Sequence, residues 1–277
     1  MRIGKAIGWA AAAIAGGIAG AAQAAQPVPW EMGFQPAATP VMEQIENFHH
    51  LLLVIITLVT LFVLVLLLYA VWRFSAKRNP MPTKTTHNTL LEMAWTVVPV
   101  IILVVIAVPS FKLLYYEDVI PKADMTIKAT GHQWYWSYEY PDNGKIGFDS
   151  LVVPDDQLKQ GQVRLLSVDN PVVVPVNTTV RVITAAGDVI HSWAVPSFGV
   201  KQDAVPGRLN ETWFKVTKEG TYYGQCSELC GVNHGFMPIE VQVVSKDKFN
   251  SWAASKKAEL EGKSPERQIA LTSDPAR

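Results

Sequence analysis

Two long runs without a charged side chain constrain this chain more than any other feature. The first, residues 51–72, holds twenty-two uncharged residues rich in Leu, Val and Ile, and the second spans residues 93–111. A helix of about 20 apolar residues crosses a hydrocarbon layer of about 30 Å. The sequence therefore predicts two membrane-spanning helices that form a hairpin, in contact with lipid and packed on a larger membrane partner.

The segment between the two runs indicates how the hairpin is oriented. Its residues 73–88 include no acidic side chain and four basic ones, Arg73, Lys77, Arg78 and Lys84. Basic loops of this kind stay on the cytoplasmic side of a membrane. We therefore expect a cytoplasmic loop at 74–88 between spans at 49–73 and 89–115. Both chain ends then lie outside the cytoplasm, in the periplasm if the hairpin sits in a bacterial inner membrane.

The N-terminus has the pattern of a secretory signal peptide. Two basic residues, Arg2 and Lys5, precede a run rich in Ala, Gly and Ile that ends in small residues. We predict that residues 1–24 are removed by cleavage near Ala24 or Ala25, which leaves 25–48 as an extracytoplasmic segment. The alternative is a retained first membrane helix, although Ala and Gly insert less readily than Leu or Ile.

After the second span the sequence changes from helical to strand-like. Short β-rich runs lie at 125–129, 163–168, 172–176, 179–184, 211–216, 221–225 and 239–244. Turn residues such as those at 141–144 and 206–207 separate several of them. Many short strands at this spacing predict an all-β Greek-key sandwich or barrel over residues 121–246. A polar tail at 247–277 follows, and it begins with a helix near 249–260.

The charge of the β region indicates the kind of partner it meets. Residues 117–240 carry fifteen acidic and ten basic side chains, a local net charge of about −5. An acidic module attracts a basic protein at low salt and does not favour nucleic acid. The alternative is an ordinary solvated surface.

One stretch of this region carries the side chains of a soft-metal site. Cys226, Cys230, His234 and Met237 fall within twelve residues, and the chain has no other cysteine. Thiolate, thioether and imidazole together favour copper over zinc. Two cysteines suggest two metal ions that share both sulfurs, and His191 is the candidate for a second imidazole. A disulfide or a thiol redox pair is the alternative reading of Cys-x3-Cys.

Three motifs together carry a resemblance to a known family. They are Cys-x3-Cys-x3-His-x2-Met, the Asp-Val-x-His-Ser-Trp stretch around His191, and the aromatic run that begins at Gly131. From about residue 40 to about 245 the chain resembles subunit II of cytochrome c oxidase. The resemblance implies a cupredoxin-like domain and a binuclear copper centre, CuA. It also implies that the chain accepts electrons from cytochrome c and passes them to the haems of subunit I, within a proton-pumping complex of several subunits that reduces oxygen to water.

The resemblance implies the metal ligands residue by residue. Cys226 and Cys230 bridge both coppers, His191 and Met237 complete one copper, and His234 completes the other with the backbone carbonyl of Glu228. The Glu228 side chain reaches a magnesium or manganese ion at the boundary with subunit I, a hard ion that suits a carboxylate. A solvated loop carboxylate is the alternative for Glu228.

The resemblance also assigns roles to residues outside the copper ligands. Trp134 is the point where the electron enters, and Glu92 marks the mouth of a proton channel; a carboxylate that reaches the membrane surface is the alternative for Glu92. Beside Trp134, we expect a docking surface for a lysine-rich cytochrome c, formed by Tyr135, Glu139, Asp142, Asp149, Asp169 and Asp188.

Two rival functions remain at this point. Subunit II of a quinol oxidase has the same hairpin and sandwich but lacks the copper ligands, which are all present here. A membrane-tethered thiol protein or a mononuclear blue-copper carrier belongs to a different class. Metal content separates these possibilities.

Overall fold

A computed structural model describes residues 23–262 of the chain. The predicted signal peptide at 1–24 lies almost entirely outside the described residues, as does the polar tail from residue 263. Both remain predictions. The described part confirms the predicted fold class, two apolar helices followed by a β-sandwich.

The two apolar helices are α1, Pro40–Arg73, and α2, Thr89–Asp118. The start of α1 lies beside the end of α2, since Phe48 and Leu51 line one groove with Pro109 and Leu113, so the pair is an antiparallel hairpin. Both are long and apolar enough to cross a membrane, and their spans are not buried within the chain. Such a surface requires lipid or protein around it.

Both helices begin at a capping side chain. The Thr39 hydroxyl accepts a hydrogen bond from the backbone N–H of Met42, and the Asn88 side chain accepts one from Leu91. These bonds satisfy N–H groups that have no partner inside the helix. Helix α1 therefore starts at Pro40, before the membrane boundary expected at residue 49.

The other elements of the described chain are eleven strands, four short 3-10 helical turns and a C-terminal helix. The strands are β1 Gln23–Ala25, β2 Met125–His132, β3 Tyr135–Tyr140, β4 Ile146–Ser150, β5 Val172–Pro175, β6 Thr179–Ala186, β7 His191–Val195, β8 Val200–Ala204, β9 Asn210–Lys215, β10 Gly220–Cys226 and β11 Pro238–Val244. Helix α3, Lys246–Gly262, follows and includes the helix expected near 249–260. One sheet has the order β5-β11-β10-β7-β8, with β1 also paired to β10, and the other has the order β4-β3-β2-β6-β9.

The aromatic run on β3 supplies much of the core between the sheets. Trp136, Tyr138 and Tyr140 are buried, whereas the residues between them face outward. Tyr138 accepts a hydrogen bond from the indole of Trp193, and Tyr140 exchanges hydrogen bonds with the backbone of Val173. The polar groups of Tyr138, Tyr140 and Trp193 are thus satisfied and link the two sheets, whereas the indole N–H of Trp136 has no partner among the described residues.

The strand expected at 163–168 is wrong. These residues form turns, with only Val168 bridged to Val152. The cause is local, since the Ser167 hydroxyl accepts from the N–H of Val163 and the Ser167 N–H bonds the carbonyl of the same residue. Serine side chains that bond the nearby backbone compete with strand pairing.

Contacts at two places fix the sandwich to the hairpin. Ahead of α1, Ala38 bonds the backbone of Ser197 and Thr217, and the Thr39 hydroxyl donates to the carbonyl of Phe198. At the end of α2, the indole of Trp213 donates to the carbonyl of Glu117. The membrane segment and the β domain are therefore joined through buried contacts as well as through the chain.

Candidate metal centre

Two neighbouring strands bring the candidate ligands together. His191 is the first residue of β7 and Cys226 the last of β10, and these antiparallel strands pair Cys226 with Trp193. The loop after β10 carries Cys230, then one short helical turn with His234, before Met237 leads into β11. Ligands at strand ends on a rigid sandwich keep their geometry when the metal charge changes.

The donor atoms lie around the two sulfurs. The Sγ atoms of Cys226 and Cys230 are 3.9 Å apart. His191 Nδ1 lies 3.8 Å from the Cys226 sulfur, and His234 Nδ1 lies 3.5 Å from the Cys230 sulfur. Met237 Sδ is also 3.5 Å from the Cys230 sulfur. The arrangement has one imidazole on each thiol.

This donor set fits a soft metal. Both cysteines are free and buried, and a sulfur separation of 3.9 Å excludes a disulfide, whose bond is about 2.05 Å. Ligand atoms of His191, Cys226 and Cys230 all lie within 4.8 Å of one another. Thiolate, imidazole and thioether donors at such spacing suit copper. The predicted alternative of a disulfide is not present.

The two thiols differ strongly in acidity. Burial raises the pKa of each, but for Cys226 the hydrogen bonds from His191 and from nearby backbone groups outweigh burial and lower the pKa to about 7. Burial and the adjacent Cys226 charge raise the pKa of Cys230 to about 12. A cation shared by both sulfurs would remove that repulsion, since it stabilises both thiolates.

His191 is held on its far side by a carboxylate. Its ring is fully buried, and its Nε2 lies 2.8 Å from an oxygen of Asp188. Burial favours the neutral ring, but the hydrogen bonds to Cys226 and Asp188 raise the pKa of His191. Burial tends to raise the pKa of Asp188, but hydrogen bonds from His191 and from the backbone outweigh burial and lower it below its ordinary value.

Trp134 contacts the ligand loop directly. Its indole N–H donates to the backbone carbonyl of Cys230 at 3.2 Å, and the side chain of Gln133 donates to the same carbonyl at 2.9 Å. The Trp134 ring is half-buried. The aromatic run therefore begins with an indole that is joined by one hydrogen bond to a candidate metal ligand.

Glu228 lies between the two cysteines, and its two polar ends face different surroundings. Its backbone carbonyl is 3.3 Å from the sulfur of Cys226, whereas its side chain is exposed. The loop also exposes two apolar side chains, Leu229 at 78% and Val232 at 87%. Exposed apolar groups in a short loop favour contact with another protein.

Glu92 lies at the start of α2, far along the chain from the metal cluster. Its carboxylate accepts a hydrogen bond from the backbone N–H of Asn88, the residue that caps the same helix. Asn88 and Glu92 thus form a reciprocal cap. This gives Glu92 a structural role that does not depend on proton transfer.

The residues expected to dock a basic partner occupy different places on the sandwich. The ring of Tyr135 stacks on His132. Asp149 on β4 accepts a hydrogen bond from the Ser137 hydroxyl on the neighbouring strand β3, on the outer face of the second sheet. Asp169 accepts from Leu151, just beyond β4. These three lie toward the end of the sheet where β2 passes into Trp134.

Two of the expected docking acids are placed differently. Glu139 forms a salt bridge with Lys128 at 2.8 Å, which offsets its charge. Asp142 accepts a hydrogen bond from Thr126 at the start of β2, about 20 Å along the strand from Trp134. Asp188, the sixth residue of the set, bonds His191.

Sequence reasoning did not identify three residues that support the cluster. Gln133 bonds the ligand loop, Asp188 bonds a ligand, and a Cβ added to Gly131 would lie 2.7 Å from the ring of His191. The spacing Asp-x-x-His was the available signal for Asp188, because a residue three positions before a histidine on a turn can reach its ring. Nothing local in the sequence indicated the other two.

Comparisons with family models and with individual known proteins point to the same family. The family model described as cytochrome c oxidase subunit II, periplasmic domain, matches residues 125–244, and the one for the transmembrane domain matches residues 27–113. A probable cytochrome c oxidase subunit 2 of Rickettsia felis is 57% identical over 243 residues, which cover 87% of this chain and 77% of the relative. The corresponding protein of Rickettsia bellii is 58% identical over 233 residues, covering 84% and 87%.

A solved structure is similar to the β domain. The periplasmic domain of subunit II of cytochrome oxidase of Bradyrhizobium japonicum is 61% identical in sequence. The match covers 51% of this chain and 99% of that one, with a TM-score of 0.48.

Proposed function

The chain belongs to the cytochrome c oxidase subunit II family, and we propose that it receives electrons from cytochrome c at a binuclear copper centre for delivery to the haems of subunit I. As a member of that family it is a subunit of a membrane oxidoreductase complex. Oxygen reduction then takes place in another subunit.

The observation that carries this proposal is the composition of the cluster. Two uncrosslinked cysteine sulfurs 3.9 Å apart each have an imidazole Nδ1 within 3.8 Å, and a thioether is 3.5 Å from one of them. A mononuclear blue-copper site requires only one cysteine. We therefore assign both cysteines as shared ligands, with Met237 and the carbonyl of Glu228 as the weaker donors.

A bound copper pair would accept and release one electron at a time. The protein contributes a frame that resists change, because His191 and Cys226 belong to paired strands and Met237 is buried at 1% exposure. Ligands that do not move between the two charge states keep the cost of electron transfer low.

Trp134 is the proposed point of electron input. Its ring is half-buried at the surface, and its N–H bonds the carbonyl of Cys230 at 3.2 Å. A partner that contacts the outer edge of this ring is separated from the ligand loop by one side chain. We propose Tyr135, Asp149 and Asp169 as the neighbouring docking residues for a lysine-rich cytochrome c.

The ligand loop is the proposed contact with subunit I. The exposed Leu229 and Val232 suit a protein interface, and the exposed carboxylate of Glu228 suits a magnesium or manganese ion whose other ligands come from the partner. Glu92 is kept as the proposed mouth of a proton channel, in addition to its capping bond with Asn88.

The proposed location is the inner membrane of a bacterial cell. The four basic residues of the 74–88 loop and its borders favour a cytoplasmic loop, which puts the sandwich and both chain ends in the periplasm. The quinol oxidase alternative is disfavoured because the copper ligands are all present. A thiol redox protein is disfavoured because two imidazoles and a thioether surround the thiols.

Electron input through Trp134 is tested in the assembled oxidase. We expect Trp134→Phe to remove the rapid phase of electron transfer from reduced cytochrome c in stopped-flow measurements, because the ring loses its bond to Cys230 and part of its π system. Trp30→Phe is the matched control, since Trp30 is 98% exposed and lies on the segment before α1. Unchanged rapid transfer in the Trp134 variant, with its copper spectrum intact, contradicts the assignment.

A further inference from the structure

The carboxylate of Asp188 makes three hydrogen bonds within the chain. One oxygen lies 2.8 Å from His191 Nε2 and accepts from the backbone N–H of Val189 at 2.7 Å. The other oxygen accepts from the backbone N–H of Gln133 at 2.7 Å. The side chain is one-third exposed, yet its oxygens are directed into the protein. A carboxylate bonded in this way is poorly suited to act as a mobile surface charge.

The bond to His191 determines which ring nitrogen faces the sulfurs. Because the Asp188 carboxylate accepts a hydrogen bond from Nε2–H, the single proton of the neutral His191 ring resides on Nε2. The lone pair is then left on Nδ1. Nδ1 is the atom that lies 3.8 Å from the sulfur of Cys226. The tautomer required for a metal ligand at this position is therefore set by Asp188 before any metal binds.

The other oxygen connects the same carboxylate to the turn that carries Trp134. Gln133 gives its backbone N–H to Asp188 and its side-chain amide to the carbonyl of Cys230. The residue before the electron-input indole is thus tied both to the His191 side and to the Cys230 side of the cluster. Asp188 and Gln133 are themselves 55 positions apart in the sequence.

We infer that Asp188 is a positioning residue that fixes the tautomer and orientation of His191 and holds the Gln133–Trp134 turn against the cluster. This inference rests on the proposed function, in which His191 is a copper ligand. This role is distinct from the docking role that we predict for Asp188 from the sequence, and the two can be measured separately. A docking acid acts on cytochrome c binding alone, whereas a positioning residue acts on the copper centre when no partner is present.

The test uses the full-length chain, loaded with copper, and two substitutions. Asp188→Asn keeps one acceptor oxygen but places an amide N–H₂ against at least one N–H donor. Asp188→Ala removes all three bonds. Asp156→Asn is the matched control, because Asp156 is an exposed acid on the short turn Asp155–Gln157 and is not one of the proposed docking residues. The wild-type chain must first show one unpaired electron shared by two coppers in its paramagnetic resonance spectrum.

We expect both Asp188 variants to change the copper hyperfine pattern and the reduction potential. Copper affinity should fall about 10- to 100-fold in the alanine variant, as is usual when a carboxylate behind a metal-bound histidine is lost. The Asp156 control should match the wild type in all three measurements. Unaltered spectra, potential and affinity in both Asp188 variants, with a change only in the salt dependence of cytochrome c oxidation, would overturn the inference.

A measurement without copper keeps the test independent of metal loading. In the copper-free chain labelled with ¹⁵N-histidine, we expect His191 to hold its proton on Nε2 in the wild type and to exchange between tautomers in Asp188→Ala. Identical tautomer populations would overturn the inference even if the variant binds no metal. A wild-type chain that lacks the shared-electron signature instead contradicts the proposed copper function, and the tautomer result then still decides the role of Asp188.

Discussion

Gly131 shows how closely the protein packs around the candidate ligands at the residue scale. A Cβ at this position would lie 2.7 to 2.8 Å from three atoms of the His191 side chain. Gly131 has ordinary strand geometry within β2, so its backbone conformation allows any residue. Only the clash with His191 excludes a side chain. Glycine at this position therefore makes room for the His191 ring, and no turn requires it.

We expect Gly131→Ala to displace His191 and weaken copper binding by about tenfold or more, the size usual for a loss of support behind a metal ligand. The inserted methyl group should also destabilise the fold by about 1–3 kcal/mol. Gly147→Ala is the control, since its Cβ would meet only ordinary contact at 3.8 Å. Copper titration and thermal unfolding measure both effects, and equal behaviour of the two variants would contradict this packing argument.

The sequence predicts the candidate metal ligands better than it predicts the residues that hold those ligands in place. The cysteines, His234 and Met237 are close in the chain, and their spacing alone indicates a soft-metal site. Asp188 is bonded to Gln133 across 55 positions, and that contact exists only once β2, β3 and β7 are folded together. The sequence therefore predicted candidate ligands but not the bond between Asp188 and Gln133, because a local pattern carries no information about pairs so far apart in the chain.

At the element scale, strands made of apolar and β-branched residues were predictable, including β5, whose four residues are all buried, whereas the buried strand β7 was not. Strand β2 alternates between buried and half-buried positions, which the sequence reproduces as alternating residue types. All five residues of β7 are buried, and they include His191 and Ser192. A strand in the middle of a sheet that carries polar functional residues shows neither alternation nor an apolar run.

Strand β11 carries a buried acid whose ionisation opposes folding. Glu240 is 7% exposed and accepts hydrogen bonds from the N–H of Val168 and the amide of Gln242. Burial outweighs these bonds and raises the pKa of Glu240 above its ordinary value of 4.5. Because the folded pKa is higher than the unfolded one, the carboxyl stabilises the fold at low pH and loses that contribution as pH rises through the folded pKa.

We therefore expect Glu240→Gln to gain stability relative to the wild type as the pH rises above about 4.5. The gain should level off once pH exceeds the folded pKa, because the wild-type carboxylate is then fully charged. Unfolding temperatures of the full-length chain in detergent across pH 4 to 8 measure the difference. Glu219→Gln, at an exposed position, is the control. A difference that is constant with pH, or that falls as pH rises, would contradict the sign.

At the scale of the whole molecule, acidic side chains and the indole of Trp134 lie toward one end of the second sheet. Asp149 and Asp169 occupy that end, whereas Asp142 bonds Thr126 at the other, about 20 Å away along β2. The overall net charge of zero does not reveal this asymmetry. Sequence counts predicted an acidic module, but only the fold separates the acids near Trp134 from the others.

We expect Asp149→Asn and Asp169→Asn to raise the KM for cytochrome c a few-fold at low salt, since each removes one attractive charge beside Trp134. The effect should disappear at ionic strengths of about 0.1 M and above, where charges are screened beyond about 10 Å. Asp142→Asn should change KM little. Steady-state kinetics over a salt series tests this, and an equal effect at all three positions would mean that the docking surface extends along the whole sheet.

The helix hairpin and the sandwich form one structure through Trp213, Ala38 and Thr39, so metal analysis belongs on the full-length chain. The most direct measurement is the metal content of that chain together with its paramagnetic resonance spectrum. Two coppers per chain and a hyperfine pattern from one electron spread over both nuclei are the predicted result. A single copper with an unshared electron, zinc in its place, or a bond between the two cysteine sulfurs would contradict a binuclear copper centre.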